Sequence, residues 1–391
     1  MIKWQEIKDA SIEIIDGDRG KNYPNGDDFS ANGYCLFLSA KNVTSDGWSF
    51  AEKTFISETK DKILRKGKLQ YNDVIMTTRG TVGNVTFFDR NIPYQYLRIN
   101  SGMVILRADA NQYIPEYIYW LFRSNIIQDQ IKQFQSGTAQ PQLPISTMQR
   151  MKIPVLPLKI QHSIMRIMGN IQRKIELNAQ INHNLEEQAK AIFKSWFVDF
   201  EPFRDGKFVD SERGKIPQGW ECGTLKDLLD VRYGKDHKKL ADGKIPVYGS
   251  GGLMRYAEKS LYNGESVLIP RKGTLNNVMR VSGNFWTVDT MFYSIPKKTG
   301  AVKYLYHILA GLDLASMNSG SAVPSMTTDI LNSIKIILPP DEILSDFDRQ
   351  TSDLWLLREI NVKQSTKLAR LRDTLLPKLM SGEIDVSEVT I

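Results

Sequence analysis

Two segments combine side chains suited to reading a nucleic acid. Thr77-Thr78-Arg79-Gly80-Thr81-Val82-Gly83-Asn84 and Pro270-Arg271-Lys272-Gly273-Thr274-Leu275-Asn276-Asn277 each follow a β-like run and join an arginine to glycine, hydroxyls and asparagine. Glycine lets a backbone approach a ligand closely, hydroxyls meet phosphate oxygens, and arginine or asparagine bonds base edges in pairs. The plain alternative for any one residue is a β-turn with solvated side chains; the matched position of the two loops favours a shared role. The candidate contacts are Thr77, Thr78, Arg79, Gly80 and Asn84 in the first loop, and Arg271, Lys272, Thr274, Asn276 and Asn277 in the second.

Two basic stretches add phosphate-binding chemistry: Lys60, Lys62, Arg65, Lys66 and Lys68, and then Lys235, Lys238, Lys239 and Lys244 with His237. Lys62, Lys66, Lys238 and Lys239 are carried as candidates, as is the polar group Gln95, Tyr96 and Arg98. Solvated charged faces are the alternative. The net charge of +7 permits a polyanionic partner without requiring one.

Catalytic chemistry is poorly served. Asn91-Ile92-Pro93-Tyr94 is a near miss to the loop that holds a flipped adenine in methyltransferases, but no cofactor-binding glycine loop precedes it. Glu58-Thr59-Lys60 lacks a partner carboxylate for a nuclease metal. No GxxxxGK[ST] loop occurs, and Gly249-Ser250-Gly251-Gly252 lacks the lysine. Cys35, Cys222, His162, His183, His237 and His307 lie apart from one another, without ligand spacing. No catalytic residue, metal ligand or cofactor site is expected.

The elements that must position the two loops are themselves repeated. Gly137-Thr138-Ala139-Gln140-Pro141 through Met151-Lys152-Ile153-Pro154-Val155-Leu156-Pro157 aligns with Gly320-Ser321-Ala322-Val323-Pro324 through Ile334-Lys335-Ile336-Ile337-Leu338-Pro339-Pro340, an offset of 320 − 137 = 183. Trp4-Gln5-Glu6-Ile7-Lys8-Asp9 resembles Trp220-Glu221-Cys222-Gly223-Thr224-Leu225-Lys226-Asp227; aligned on the tryptophans this gives an offset of 216 at the domain starts, so the first copy carries about 216 − 183 = 33 extra residues.

After each repeat the period turns helical. Ile164, Met168, Ile171, Ile175, Asn178, Asn182, Leu185, Ala189, Ile192 and Trp196 form one seam in steps of four and three; Leu354, Leu357, Asn361, Gln364, Leu368, Leu371 and Leu375 form another. Asn178 and Asn361 occupy the same place at the 183-residue offset, as a register device would. Two unrelated amphipathic helices, each covering its own domain, are the alternative. A helix over Lys159–Asp199 would be ~60 Å long. Between the helices, Asp73–Thr78, Gly102–Leu106 and Ser266–Pro270 read as strands, Ile114–Phe122 and Lys303–Leu309 as short helices, and Glu201–Lys207 as a linker. The chain of 391 residues is long enough for two domains plus connectors. It has no apolar run of ~18–20 residues and no signal-like start, so no membrane association and a cytoplasmic location are expected.

Several stretches together resemble the specificity subunit of Type I restriction–modification systems. They are Ile175-Glu176-Leu177-Asn178 leading to Leu185-Glu186 and Ala191-Ile192-Phe193-Lys194-Ser195-Trp196-Phe197-Val198-Asp199-Phe200; Ile216-Pro217-Gln218-Gly219-Trp220; Gly320-Ser321-Ala322-Val323-Pro324; and Leu371-Arg372-Asp373-Thr374-Leu375-Leu376-Pro377-Lys378-Leu379-Met380-Ser381-Gly382. The resemblance implies an α+β architecture: two mixed α/β target-recognition domains separated by two long antiparallel coiled-coil helices, with pseudo-twofold internal duplication. The boundaries expected are 1–157, 158–203, 204–340 and 341–391. It also implies double-stranded DNA as ligand, with one half of a bipartite site per domain. Two methyltransferase subunits would dock on the helices, at Ile164, Met168, Ile171, Ile175, Asn178, Leu185, Ile192, Trp196, Leu354, Leu357, Asn361, Leu368 and Leu375. ATP-dependent restriction subunits would join that core; S-adenosylmethionine, ATP and Mg would belong to those partners. Arg358 stands where the repeat has Ile175, so the helices are not interchangeable. A non-DNA interaction scaffold, and a stand-alone adenine methyltransferase, are the competing readings.

Overall fold

The computed structural model describes residues 2–387 apart from 46, 138–139 and 318–324. The Thr138-Ala139 step and the Gly320–Pro324 motif therefore lie outside the described residues. The chain divides into two compact units, Met1–Leu177 with Lys363–Ile391, and Asn178–Val362. Each unit holds one globular domain and part of both long helices, Leu158–Phe197 and Asp341–Met380. Packing divides each helix along its length.

The first domain is built on an antiparallel sheet with the spatial order Ile12–Asp16, Met103–Ala108, Val74–Thr77, Val85–Phe87. The second repeats that order with Leu229–Tyr233, Met291–Pro296, Ser266–Pro270 and Met279–Val281. Val74–Thr77 and Ser266–Pro270 are buried at every residue, so they read in sequence as short unbroken apolar runs. A second sheet in each domain contains a parallel pair, Cys35–Leu38 with Leu97–Ile99, and Asp242–Gly249 with Asn284–Thr287. The helices Pro115–Arg123 and Ala301–Ala310 cover the main sheets through Tyr117, Ile118 and Leu121, and through Val302, Tyr304 and Leu305.

The repeat continues into short strand pairs, with one correction to the sequence alignment. Lys3–Glu6 pairs with Lys152–Val155, and Glu221–Thr224 pairs with Lys335–Leu338. The Ile7 N–H donates to the Met151 carbonyl and the Leu225 N–H to the Ile334 carbonyl. The domain-start offset is therefore 225 − 7 = 218, not 216, and Trp4 corresponds to Cys222 rather than Trp220. Trp4 is exposed, while Trp220 is buried against Phe197, Phe200 and Phe203, which explains the aromatic run that ends the first long helix.

Within each unit the two long helices pack antiparallel. In the first unit Arg372 donates to the Gln172 side chain at 3.0 Å while Ile164 and Met168 share a core with Leu376, Leu379 and Met380. In the second, Arg358 pairs with Glu186, and Phe193 and Phe197 pack against Phe347. On the first helix Ile164, Met168, Asn178 and Leu185 are buried, and Ile171, Ile175, Ile192 and Trp196 half-buried. On the second, Asn361 is buried and Leu354, Leu368 and Leu375 are half-buried, but Leu357 is 44% exposed and Leu371 is exposed too. Phe347, Thr351 and Trp355 take the buried face instead. The Trp355 ring lies 4.8 Å from the Arg280 guanidinium and 5.7 Å from that of Arg358, a seat that no leucine side chain fills. No helix among the described residues is long and apolar enough to cross a membrane.

Candidate nucleic-acid interface

Each candidate loop is closed by its own residues and then bonded to a second segment. Thr77 closes the first: its N–H donates to the Asn84 carbonyl at 3.0 Å, its carbonyl accepts the Gly83 N–H at 2.9 Å, and its hydroxyl bonds the Thr81 carbonyl. Gly80 at φ 74° and Gly83 at φ 93° supply the left-handed turns. The loop is then bonded to the segment after Gly137: the Gly80 N–H donates to the Pro141 carbonyl, the Leu143 N–H to the Thr78 carbonyl, and Arg79 forms an antiparallel bridge with Gln142.

The second loop repeats the bonds that hold the tip, although Pro270 stands where Thr77 closes the first loop and offers neither its N–H nor its hydroxyl. Thr78 and Arg79 N–H groups donate to the Gly102 carbonyl at 2.8 and 3.2 Å; Arg271 and Lys272 N–H groups donate to the Thr290 carbonyl at 2.8 and 3.2 Å. The Met326 N–H donates to the Arg271 carbonyl, and Lys272 bridges Ser325. Arg79 therefore corresponds to Lys272, and Gly80 to Gly273, also left-handed at φ 83°.

These bonds sort the candidates. Arg79, Gly80, Lys272 and Thr274 are exposed at the tips. Arg271 is half-buried, donating to the Asp289 carbonyl at 3.2 Å with its guanidinium 5.5 Å from the Tyr233 ring. Thr77 and Thr78, expected to touch DNA, are buried and shape the loop. The asparagines are braces as well. Asn84 donates to the Val43 carbonyl at 3.0 Å and Asn277 to the Ser250 carbonyl at 2.8 Å. Asn276 donates to Asp313 and accepts the Ala315 N–H.

Asp18 orders the first basic stretch. Burial pushes its carboxyl up, but the N–H groups of Arg65, Arg19 and Lys66 outweigh that and hold it below the usual carboxylate range. Arg65 and Lys66 thereby present exposed side chains on a fixed backbone. A cleft of about 240 Å³ is lined by Arg19, Arg79 and Gln142, and another of about 530 Å³ by Arg65, Lys66 and Lys68; both share Asp16 and Ile145. Side chains far apart in sequence thus gather beside one strand. Arg19 and Gln142 escaped the sequence reading; the only signal for Arg19 was the turn-like Asp16-Gly17-Asp18-Arg19-Gly20 run.

Arg98 is the clearest correction. It is 2% exposed, donating to the Asp61 carboxylate at 2.8 Å, the Asp61 carbonyl at 2.9 Å and the Lys66 carbonyl. It ties the Glu58–Ile63 helix to the Leu97–Ile99 strand and offers nothing to DNA. Its neighbour Tyr96 is half-buried, stacked on Tyr34 at 4.3 Å with the Lys68 ammonium 5.2 Å from its ring, and Gln95 is exposed. Lys62, Lys238 and Lys239 are exposed, Lys62 pairing with Glu58. Burial pushes the Cys35 thiol up to about 12 and lowers His307 to about 4; His307 stacks on Phe193 as a packing residue. Among the described residues no cluster of three or more His, Cys, Asp or Glu side chains forms a metal-ligand set.

Comparison with known proteins agrees with this arrangement. Residues 1–187 and 217–361 match the family model of the Type I restriction modification DNA specificity domain. The chain is 28% identical over 363 residues to the MjaIX specificity subunit of Methanocaldococcus jannaschii, covering 85% of this chain and 81% of that one. It is 24% identical over 462 residues to the HindI specificity subunit of Haemophilus influenzae, covering 94% and 98%. Its fold is similar to that of a Type I restriction–modification S subunit from M. genitalium, with a TM-score of 0.55 over 97% of this chain and 96% of that chain at 16% identity. With both copies of the repeat inside the matched residues, the chain belongs to the Type I restriction modification DNA specificity domain family.

Proposed function

We propose that the chain is the DNA-reading, non-catalytic specificity subunit of a Type I restriction–modification complex, taking one half of a bipartite duplex site on each domain. One observation carries this reading. The same loop tip, held by matching backbone bonds at Thr78-Arg79 and Arg271-Lys272, occurs twice but presents Arg79-Gly80 in one domain and Lys272-Gly273-Thr274 in the other. A retained scaffold with altered tips is what two different readouts require.

The long helices are the docking surface for two methyltransferase subunits. Leu177 and Ile360, at the 183-residue offset, are 45% and 51% exposed, so the same apolar position is offered once in each unit. Restriction subunits driven by ATP complete the assembly in the cytoplasm. S-adenosylmethionine, ATP and Mg are bound by those partners, which supply adenine methylation and cleavage.

A scaffold that binds protein or carbohydrate is distinguished by equilibrium binding to duplex DNA across a salt series. Neutralising about five phosphates gives a slope near −4.5 in log K against log salt. Absence of binding at low salt, or binding indifferent to salt, contradicts the DNA-reading assignment.

A further inference from the structure

We propose, resting on the DNA-reading assignment, that Gln142 and Ser325 are specificity-determining residues, each acting beside the loop cation it faces. The antiparallel bridges Arg79–Gln142 and Lys272–Ser325 join equivalent residues of the two domains. Residues directly opposite across such a bridge project from the same face with Cβ atoms about 5 Å apart. The bridge therefore presents the two side chains side by side on one face.

The backbone around Gln142 is fully used. Its N–H donates to the Ser136 carbonyl at 2.9 Å and its carbonyl accepts the Ser136 N–H at 3.0 Å, which fixes the position from which the side chain projects. The Gln142 side chain is exposed and lines the same cleft as Arg79 and Arg19. Among the described residues, no protein group bonds the side chains of Arg79, Gln142 or Lys272. Their neighbours in each loop, by contrast, are committed as braces.

The two pairs differ in chemistry while their frames coincide. Arginine takes guanine O6 and N7 together and glutamine takes adenine N6 and N7 together, whereas lysine offers a point charge and serine a single hydroxyl that bonds either purine. The first domain thus carries a discriminating pair and the second a more permissive one, located where the repeat keeps the backbone and changes the side chains.

The test uses the full chain assembled with its methyltransferase subunits, reading the methylated motif and competition binding with single-base variants of each half-site. In Q142S the preference at one position of one half-site falls by about 10- to 100-fold while the other half is untouched. Q142E moves that same position towards cytosine, whose N4 amine donates to a carboxylate. S325Q sharpens one position of the opposite half. In Q142S and S325Q melting temperature and salt slope stay at wild-type values, because neither the backbone bonds nor the charges change. If the wild-type complex marks a split site and all three variants mark the identical motif with unchanged preferences, the inference is overturned. If the wild-type complex marks no split site, the DNA-reading assignment falls and this inference with it.

Discussion

The side-chain amide of Asn178 donates to the backbone carbonyl of Asn361 at 3.5 Å, and these two residues, 183 apart, hold the same place in the two copies of the repeat. Asn361 in turn donates to the Asn182 side chain at 3.0 Å. Both asparagines are buried, in a seam built mainly from apolar side chains. A polar residue in such a seam lowers stability and fixes register, because slipped pairings leave its amide without a partner.

Replacing both, in N178L/N361L, is expected to hold or raise the unfolding midpoint while releasing the register. Disulfide trapping reads this directly. Cysteines replacing Glu186 and Arg358 report the native pairing, and cysteines replacing Glu186 and Thr351 report a slip of one heptad. Trapping of the slipped pair in the double leucine background alone is the expected result; native trapping only, in both backgrounds, removes the register role.

Arg98→Ala is expected to cost about 3–5 kcal/mol in chemical denaturation, because it leaves the buried Asp61 carboxylate to Lys68 alone and the Asp61 and Lys66 carbonyls without their donor. A role in DNA contact would instead lower affinity at unchanged stability. The pH dependence follows from the same group. Burial pushes the Asp61 carboxyl up, but bonds from Lys68 and Arg98 outweigh it and leave it below its ordinary value, as with Asp18. A carboxyl lowered in the folded state contributes stability that is complete above its unfolded value near 3.9 and is lost as pH falls through the folded value. Acid denaturation followed by circular dichroism is expected to show this loss below about pH 4. D18N is expected to be less stable at pH 7 and to lose less over that window.

Gly17→Ala and Gly234→Ala are expected to destabilise by about 1–3 kcal/mol each. A Cβ on Gly17 runs into the Asn100 carbonyl, and one on Gly234 into the Val288 carbonyl, in both cases backbone that cannot swing aside. Thermal melts of the two variants check this. An unchanged midpoint in either removes the close approach as a constraint on that domain.

Leu177→Asp and Ile360→Asp are expected to weaken methyltransferase association while leaving the melting temperature of the chain within about 1 °C, because both side chains are already exposed. Each single variant retains one methyltransferase per chain and the double variant none, read by sedimentation of the mixture. Full occupancy by the double variant places the docking surface elsewhere.

Much of this architecture was legible in residue patterns. The 183-residue repeat, the long helices, the asparagine pair and the matched loops all lie in local spacing, and local spacing is what a backbone period or a turn imposes on a sequence. The second seam was misread because leucines at 354 and 357 obey the heptad as well as Thr351, Trp355 and Arg358 do; a tryptophan seated between two arginines from different elements decides the matter, and only packing shows it. The Trp4–Trp220 alignment failed because a matching residue type outweighed the better match of Ile7-Lys8-Asp9 to Leu225-Lys226-Asp227. Arg98 looked like a surface cation because its partner, Asp61, is 37 residues away. Gln142 carried no signal by itself, since its interest lies in the residue across the bridge.

The most direct test of the central claim is methylome sequencing of a host lacking its own restriction–modification systems. The host expresses this chain with a Type I methyltransferase subunit, against a control expressing that methyltransferase alone. A split, asymmetric methyladenine motif is expected that appears only with the chain, and that changes in one half alone when Arg79 is replaced by alanine. Methylation that is the same with and without the chain, from a methyltransferase shown to be active, would contradict it.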